Sequence, residues 1–349
     1  MLKRIFPNSF SSHLTVIIMT ASLSFFCTFA VRGEAPKAPN AASAWELKML
    51  GVNDADKLKE LRNAAKLRRV KLGVVGQGGV SKKRLKYLAD SGCTITFHDC
   101  ESAAKSTHDT GELNIILPIV SALGAGVDIH VWQPGKSFEE VAKDFREADK
   151  ICDIVCFYQS FWGKNAKVIT RALRESSSAL FISPYVAVGK NPTGESPQGS
   201  ACKPWEKDSI ENLVLAVPLA RKDLKRGMLS PYDRSPGDSE TVNFIAPSYY
   251  SRSHGITCPS ASVTTACAVF LYAVMPGKPS PEAVIDILRS TSGIDRELLL
   301  SAGMDAAAID AMQKKIDSLR NPEKGKPRKL DAPGVINLFE AYQKAAAVK

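Results

Sequence analysis

The chain has no C-x-x-C motif, no cysteine and histidine at zinc-ligand spacing, no internal repeat and few aromatic residues. Each shortage removes a class of protein. The 8 cysteines and 5 histidines are scattered over 349 residues, so neither a metal centre nor a disulfide-stapled scaffold is expected. Cys152 and Cys156 share one expected strand and would stand about 13 Å apart when extended, too far to bridge. Aromatic residues make up 7% of the chain and do not interleave with the basic stretches at 57–69, 82–86 and 324–329. That pattern excludes a stacking surface for nucleic acid. No cofactor is expected.

Hydrophobic residues reach 44%, enough for one large core or two modest ones. Lys3 and Arg4 precede an apolar run from Leu14 to Val31, followed by Arg32 and a Pro/Ala-rich stretch. This reads as a signal peptide over 1–33, with small residues at Thr28 and Ala30, or Val31 and Gly33, as cleavage points. The run is also near the length of a membrane span, so the alternative is an uncleaved anchor, the one expected membrane contact. The bulk of the chain is then secreted or periplasmic, or membrane-anchored with its domain outside the cytoplasm. Without the first 33 residues, 43 basic residues face 36 acidic ones, and this +7 balance reads as solvated surface.

From Val70 onward, runs rich in Val, Ile and Leu alternate with amphipathic stretches. Strands are expected at Val70–Val75, Cys93–His98, Val127–Trp132, Ile151–Phe157, Ala179–Ile182 and Leu213–Val217. Helices are expected at Lys82–Asp90, Ile115–Leu123, Phe138–Asp149 and Ala166–Glu175. Such alternation predicts an α/β fold with a mostly parallel central sheet covered by helices on both faces. The organisation reads as a linker with short lead-in helices (34–69), a core (70–292), a helical insertion with a basic linker (293–329) and a closing segment (330–349). Gly76-Gln77-Gly78-Gly79 after the first strand imitates a dinucleotide-binding turn, with Asp99 ending the next strand. Its third glycine is replaced by Ser81, so nucleotide binding is the least favoured of three functional readings.

Chemistry concentrates at Gly255-Ile256-Thr257-Cys258-Pro259-Ser260-Ala261-Ser262-Val263. Thr257 is an expected N-cap, Pro259 suits the first turn, and the helix through Val274 is apolar all round, hence buried. A side chain at such a helix start lies in a field that favours negative charge. A thiol there is a candidate nucleophile, which singles out Cys258. Pro279-Ser280-Pro281-Glu282-Ala283-Val284 begins the next helix.

These two segments resemble the nucleophile block of the subtilisin-like serine proteases, G-T-S-M-A-x-P-H-V followed by P-x-L-S-P-x-E-V. Further segments are similar to that family's motifs. Trp45 to Val52 resembles the lead-in helix, and Val70 to Gly79 the strand carrying the catalytic aspartate. His108-Asp109-Thr110-Gly111 resembles the histidine motif, Gly124 to Val131 the following strand, and Ser160-Phe161-Trp162-Gly163 the S-x-G edge that pairs with an extended peptide. Val242 to Pro247 and Ala332 to Asn337 resemble the closing strands. The resemblance implies a subtilisin-like three-layer sandwich and a peptide or protein partner.

It also implies that the triad is eroded. The aspartate position falls on Gly76, the serine position on Thr257, and the oxyanion turn on Ser183-Pro184-Tyr185-Val186, without an asparagine. Losing the acid of a triad costs about 10⁴ in rate, and losing one oxyanion donor roughly 10² to 10³. The favoured expectation is therefore an exported, non-catalytic pseudoprotease that binds extended peptide or a protein partner along Ser160–Gly163. The alternative is an endopeptidase-like hydrolase using Thr257 or Cys258 with His108, with Asp99 or Asp109 orienting the histidine.

Overall fold

The computed structural model describes residues 41–65, 68–76, 79–88, 92–98, 108–132, 137–158, 164–184, 210–220, 242–248, 258–320 and 334–348. Residues 1–33, Asp99, Ser160–Gly163, Thr257 and the basic linker 321–329 lie outside these residues. Among those described, no helix is long and apolar enough to cross a membrane.

Eight parallel strands form one sheet: β1 (Arg69–Val75), β2 (Thr94–His98), β3 (Gly126–Trp132), β4 (Ile154–Cys156), β5 (Leu180–Pro184), β6 (Leu213–Ala220), β7 (Val242–Ser248) and β8 (Gly334–Val335). Their order is β2-β3-β1-β4-β5-β6-β7-β8. Side chains alternate between faces, and both faces are apolar, as a parallel sheet requires. Leu72, Val74, Ile154, Cys156, Leu180, Ile182, Val214, Ala216 and Phe244 point to one core. Val75, Val155, Phe157, Phe181, Leu213 and Leu215 point to the other.

On the first face lie α1 (Ala41–Met49), α2 (Ala55–Ala64), α3 (His108–Ala122), α6 (Cys258–Val274), α7 (Pro281–Thr291) and α10 (Leu338–Ala347). Helix α6 is central to this layer. Every residue from Pro259 to Val274 is buried, and α6 packs along α3. Its threonines avoid unmet polar groups by bonding carbonyls one turn back, Thr264 to Ser260 at 2.8 Å and Thr265 to Ala261 at 2.7 Å. Ser280 caps α7 by accepting the N–H of Ala283, the start signal expected there.

The second face carries α4 (Phe138–Ile151) and α5 (Lys164–Glu175) over the middle of the sheet. Helix α4 begins with a capping box in which Ser137 and Glu140 satisfy each other's backbone N–H. Helices α8 (Arg296–Ser301) and α9 (Ala306–Arg320) cover the far end of the same face. The helical insertion expected within 293–329 is thus two helices, because the chain turns at Gly303 with a φ of +95°. Leu299, Ile309, Met312 and Ile316 pack onto Leu219, Ile245 and Val335, so this segment completes the core.

Two expectations need correction. No helix forms over the described part of Lys82–Asp90, where only a short 3₁₀ turn at Lys82–Arg84 appears. Asn114 of α3 holds that backbone instead, accepting the N–H of Lys86 at 2.9 Å and donating to the carbonyl of Arg84 at 3.1 Å. The strand expected at Ile151–Phe157 is shorter, because Ile151 ends α4 and the N–H of Cys152 still bonds the carbonyl of Ala148. Cys152 and Cys156 therefore do not share a strand.

Because α9 closes a core, Ile309→Ala should cost about 2–4 kcal/mol in urea unfolding. A loss below roughly 0.5 kcal/mol would show α9 to be an external ornament.

Candidate active site

Strand β1 feeds the chain toward β2, whereas its neighbour β4 feeds it toward β5. Neighbouring strands with opposite onward connections open a crevice at their carboxyl ends, the usual binding place in a parallel sheet. Gly76 follows β1 at this crevice, Phe157 and Tyr158 follow β4, and the first turns of α3 and α6 bring in their side chains.

His108 is the first residue of α3, which begins seven residues before the helix expected at Ile115–Leu123. Its ring Nδ1 lies 3.3 Å from Asp109 Oδ1, and its Nε2 lies 3.8 Å from Glu112 Oε1. The Cys258 thiol, at the start of α6, lies within 4.8 Å of a ring nitrogen of His108 and a carboxylate oxygen of Glu112. His108 and Cys258 are half-buried, whereas Asp109 and Glu112 are 2% and 0% exposed.

Asp109 explains the glycine at position 76. A Cβ on Gly76 would stand 2.5 Å from Asp109 Cγ and 2.8 Å from Oδ1, and would overlap Oδ2. The carboxylate on α3 thus fills the space that a side chain at the end of β1 would need. Gly79, with a φ of +67°, donates its N–H to Asp109 Oδ2 at 3.0 Å. Thr110 fastens the same helix start by accepting the N–H of Ser81 at 2.8 Å. This arrangement opposes the nucleotide reading, because a carboxylate already takes the Gly79 N–H that a phosphate would need.

A second hydrogen-bond chain runs behind the ring. Ser262 donates to Glu112 Oε2 at 2.6 Å and lies 2.9 Å from the Tyr158 hydroxyl. The Tyr158 ring meets His108 edge-on, with centroids 5.9 Å apart. Glu112, Ser262 and Tyr158 were not singled out in the sequence. The available signal was an acid four residues after His108, in a helix otherwise apolar at Leu113, Ile116 and Leu117.

Charge is distributed accordingly. The hydrogen bond to Asp109, then the one to Cys258, raises the His108 pKa to about 10 against the opposing effect of burial. Burial raises Glu112 to about 7, opposed by the Ser262 hydrogen bond and the charge of His108. His108 therefore rests as an imidazolium at neutral pH. Cys156 and Cys267 are pushed up by burial and serve as packing groups, whereas Cys258 is partly open to solvent.

His98, His130 and Trp132 form a separate stack on β2 and β3, with the His98 and Trp132 centroids 4.2 Å apart. His254 lies outside the described residues.

No protein-family model and no curated protein matches the sequence. Solved structures do match the fold. The A-subunit of the AB5 toxin from E. coli is 11% identical, with 86% of this chain and 99% of that chain covered and a TM-score of 0.51. MycP1 from Mycobacterium smegmatis is 12% identical over 88% of this chain and 87% of that one, with a TM-score of 0.50. The prenylagaramide maturation protease PagA is 13% identical over 84% and 99%, with a TM-score of 0.49. The fold is a subtilisin-like α/β sandwich with a parallel eight-stranded sheet.

The shared space at positions 76 and 109 predicts a specific compensation. Gly76→Asp alone should lower the melting temperature, because its side chain collides with Asp109. Combining it with Asp109→Gly should recover most of that loss. Equal damage in the single and double variants would mean that the two positions do not compete.

Proposed function

We propose that this chain is an exported peptidase homologue in which Cys258 replaces the serine nucleophile, His108 is the acid–base, and Asp109 orients the histidine. The observation that carries this reading is the Asp109 carboxylate. It occupies the volume left by Gly76 and contacts His108 Nδ1, so the acid absent from the end of β1 is supplied from α3. This geometry removes one of the three grounds for the non-catalytic reading, the missing acid, and so favours the hydrolase reading.

The chemistry follows from the three groups. The reacting pair is the Cys258 sulfur as thiolate and the His108 imidazolium. The sulfur attacks a substrate carbonyl carbon, and His108 gives its proton to the departing amine as the C–N bond breaks. A thioester remains on Cys258. His108 then takes a proton from water, whose oxygen displaces the sulfur and releases the carboxylic acid. Asp109 holds the ring and stabilises its charged form throughout. An extended peptide is the proposed substrate because Ser160–Gly163 resembles the edge that pairs with one in the family. Lys3, Arg4 and the apolar run from Leu14 to Val31 support export.

Incubating the full chain with a mixture of unstructured peptides should give cleavage that Cys258→Ala or His108→Ala abolishes. Asp109→Asn should reduce the rate by about 10²- to 10⁴-fold, while Thr257→Ala should leave it within about threefold. Loss of cleavage in Thr257→Ala but not in Cys258→Ala would move the nucleophile one residue back. No cleavage above the variants would restore the non-catalytic, peptide-binding reading.

A further inference from the structure

His108, Glu112 and Cys258 each offer one ligand atom, and these atoms lie within 4.8 Å of one another. Ligands around a tetrahedral zinc ion stand roughly 3.5 Å apart, so side-chain rotation alone brings these three into range. The set combines an imidazole, a carboxylate and a thiol, the donor chemistry of zinc and not of magnesium or calcium. His108 and Glu112 stand four residues apart on α3 and Cys258 comes from α6, so no single local motif contains all three.

Two further observations point to a ligand. Glu112 Oε1 is fully buried and has no hydrogen-bond partner among the described residues, although it lies 3.8 Å from His108 Nε2. An unsatisfied buried carboxylate oxygen is costly unless a cation or a donor completes it. Moreover, the outer contacts match those of a metal ligand set. Asp109 holds Nδ1 of His108, so that Nε2 can ligate a metal that displaces its proton to solvent, and Ser262 fixes the other oxygen of Glu112. Such outer carboxylates and hydroxyls orient ligands and strengthen metal binding. The partial exposure of His108 and Cys258 leaves a fourth position open to water.

We infer that His108 Nε2, Glu112 Oε1 and Cys258 Sγ bind one zinc ion, which blocks hydrolysis by occupying the nucleophile and the base together. The regulatory half of this inference rests on the hydrolase reading above, whereas the binding half does not.

Cobalt(II) added to the full chain tests the binding half. A thiolate-to-cobalt absorption band should appear, saturate at one equivalent, and bleach when zinc is added. The band should vanish in Cys258→Ser. Glu112→Gln, which retains the shape and the Ser262 contact, should weaken cobalt binding at least tenfold, and Asp109→Asn by about 10- to 100-fold. A wild-type chain with no band, or a band unchanged in Cys258→Ser, would overturn the site. Peptide cleavage is measured in parallel, with EDTA and with zinc. Cleavage in EDTA that zinc suppresses only in chains carrying Glu112 supports the switch. Cleavage equally suppressed in Glu112→Gln overturns the switch. A cobalt band with no cleavage under either condition overturns the hydrolase reading and leaves the metal site standing.

Discussion

The carboxylate of Asp109 joins three parts of the structure that would otherwise be independent. It receives the N–H of the loop after β1, touches the imidazole of His108, and fills the room beside Gly76. The start of α3 is thereby pressed against the end of β1. Were this group placed elsewhere, the crevice at the switch in strand order would contain neither an oriented histidine nor a glycine in its wall. Charge makes the arrangement strong, because a hydrogen bond between two ionised groups exceeds one between neutral ones.

The remainder of the site depends on α6. This helix is buried on all sides and contributes Cys258 at its exposed start and Ser262 one turn deeper. Of the polar groups it carries into the core, Ser260 bonds the carbonyl of Ala216 and Ser262 bonds Glu112. Glu112 is the costly member, a carboxyl group with 0% exposure, and the charge of His108 offsets part of its burial. The sheet thus supplies position, while two adjacent helices supply the chemistry.

Much of this fold was legible because the strands are rich in Val, Ile and Leu. Val70–Val75 is apolar but for Lys71, and Val127–Trp132 alternates, with Asp128 and His130 on its less buried side. Where tertiary contacts override local preference, the reading failed. Lys82–Asp90 has helical spacing, yet Asn114 captures its backbone, and Ile151 has strand character, yet α4 extends through it. At the site, His108 and Cys258 were identified from their neighbours, and Asp109 was considered as a substitute acid. That its carboxylate would occupy the place of residue 76 depends on where α3 begins, and no local pattern reports this. Tyr158, Ser262 and Glu112 were missed because their importance lies in contacts between residues far apart in the chain.

The mutual exclusion of side chains at positions 76 and 109 also limits the mutational routes to such a site. An ancestor bearing an acid on the strand could not acquire a second one on the helix without collision, and could not discard the first without losing its histidine's partner. A viable path therefore runs through a small residue at one position before an acid arrives at the other. Between these steps the histidine would stand without an orienting acid.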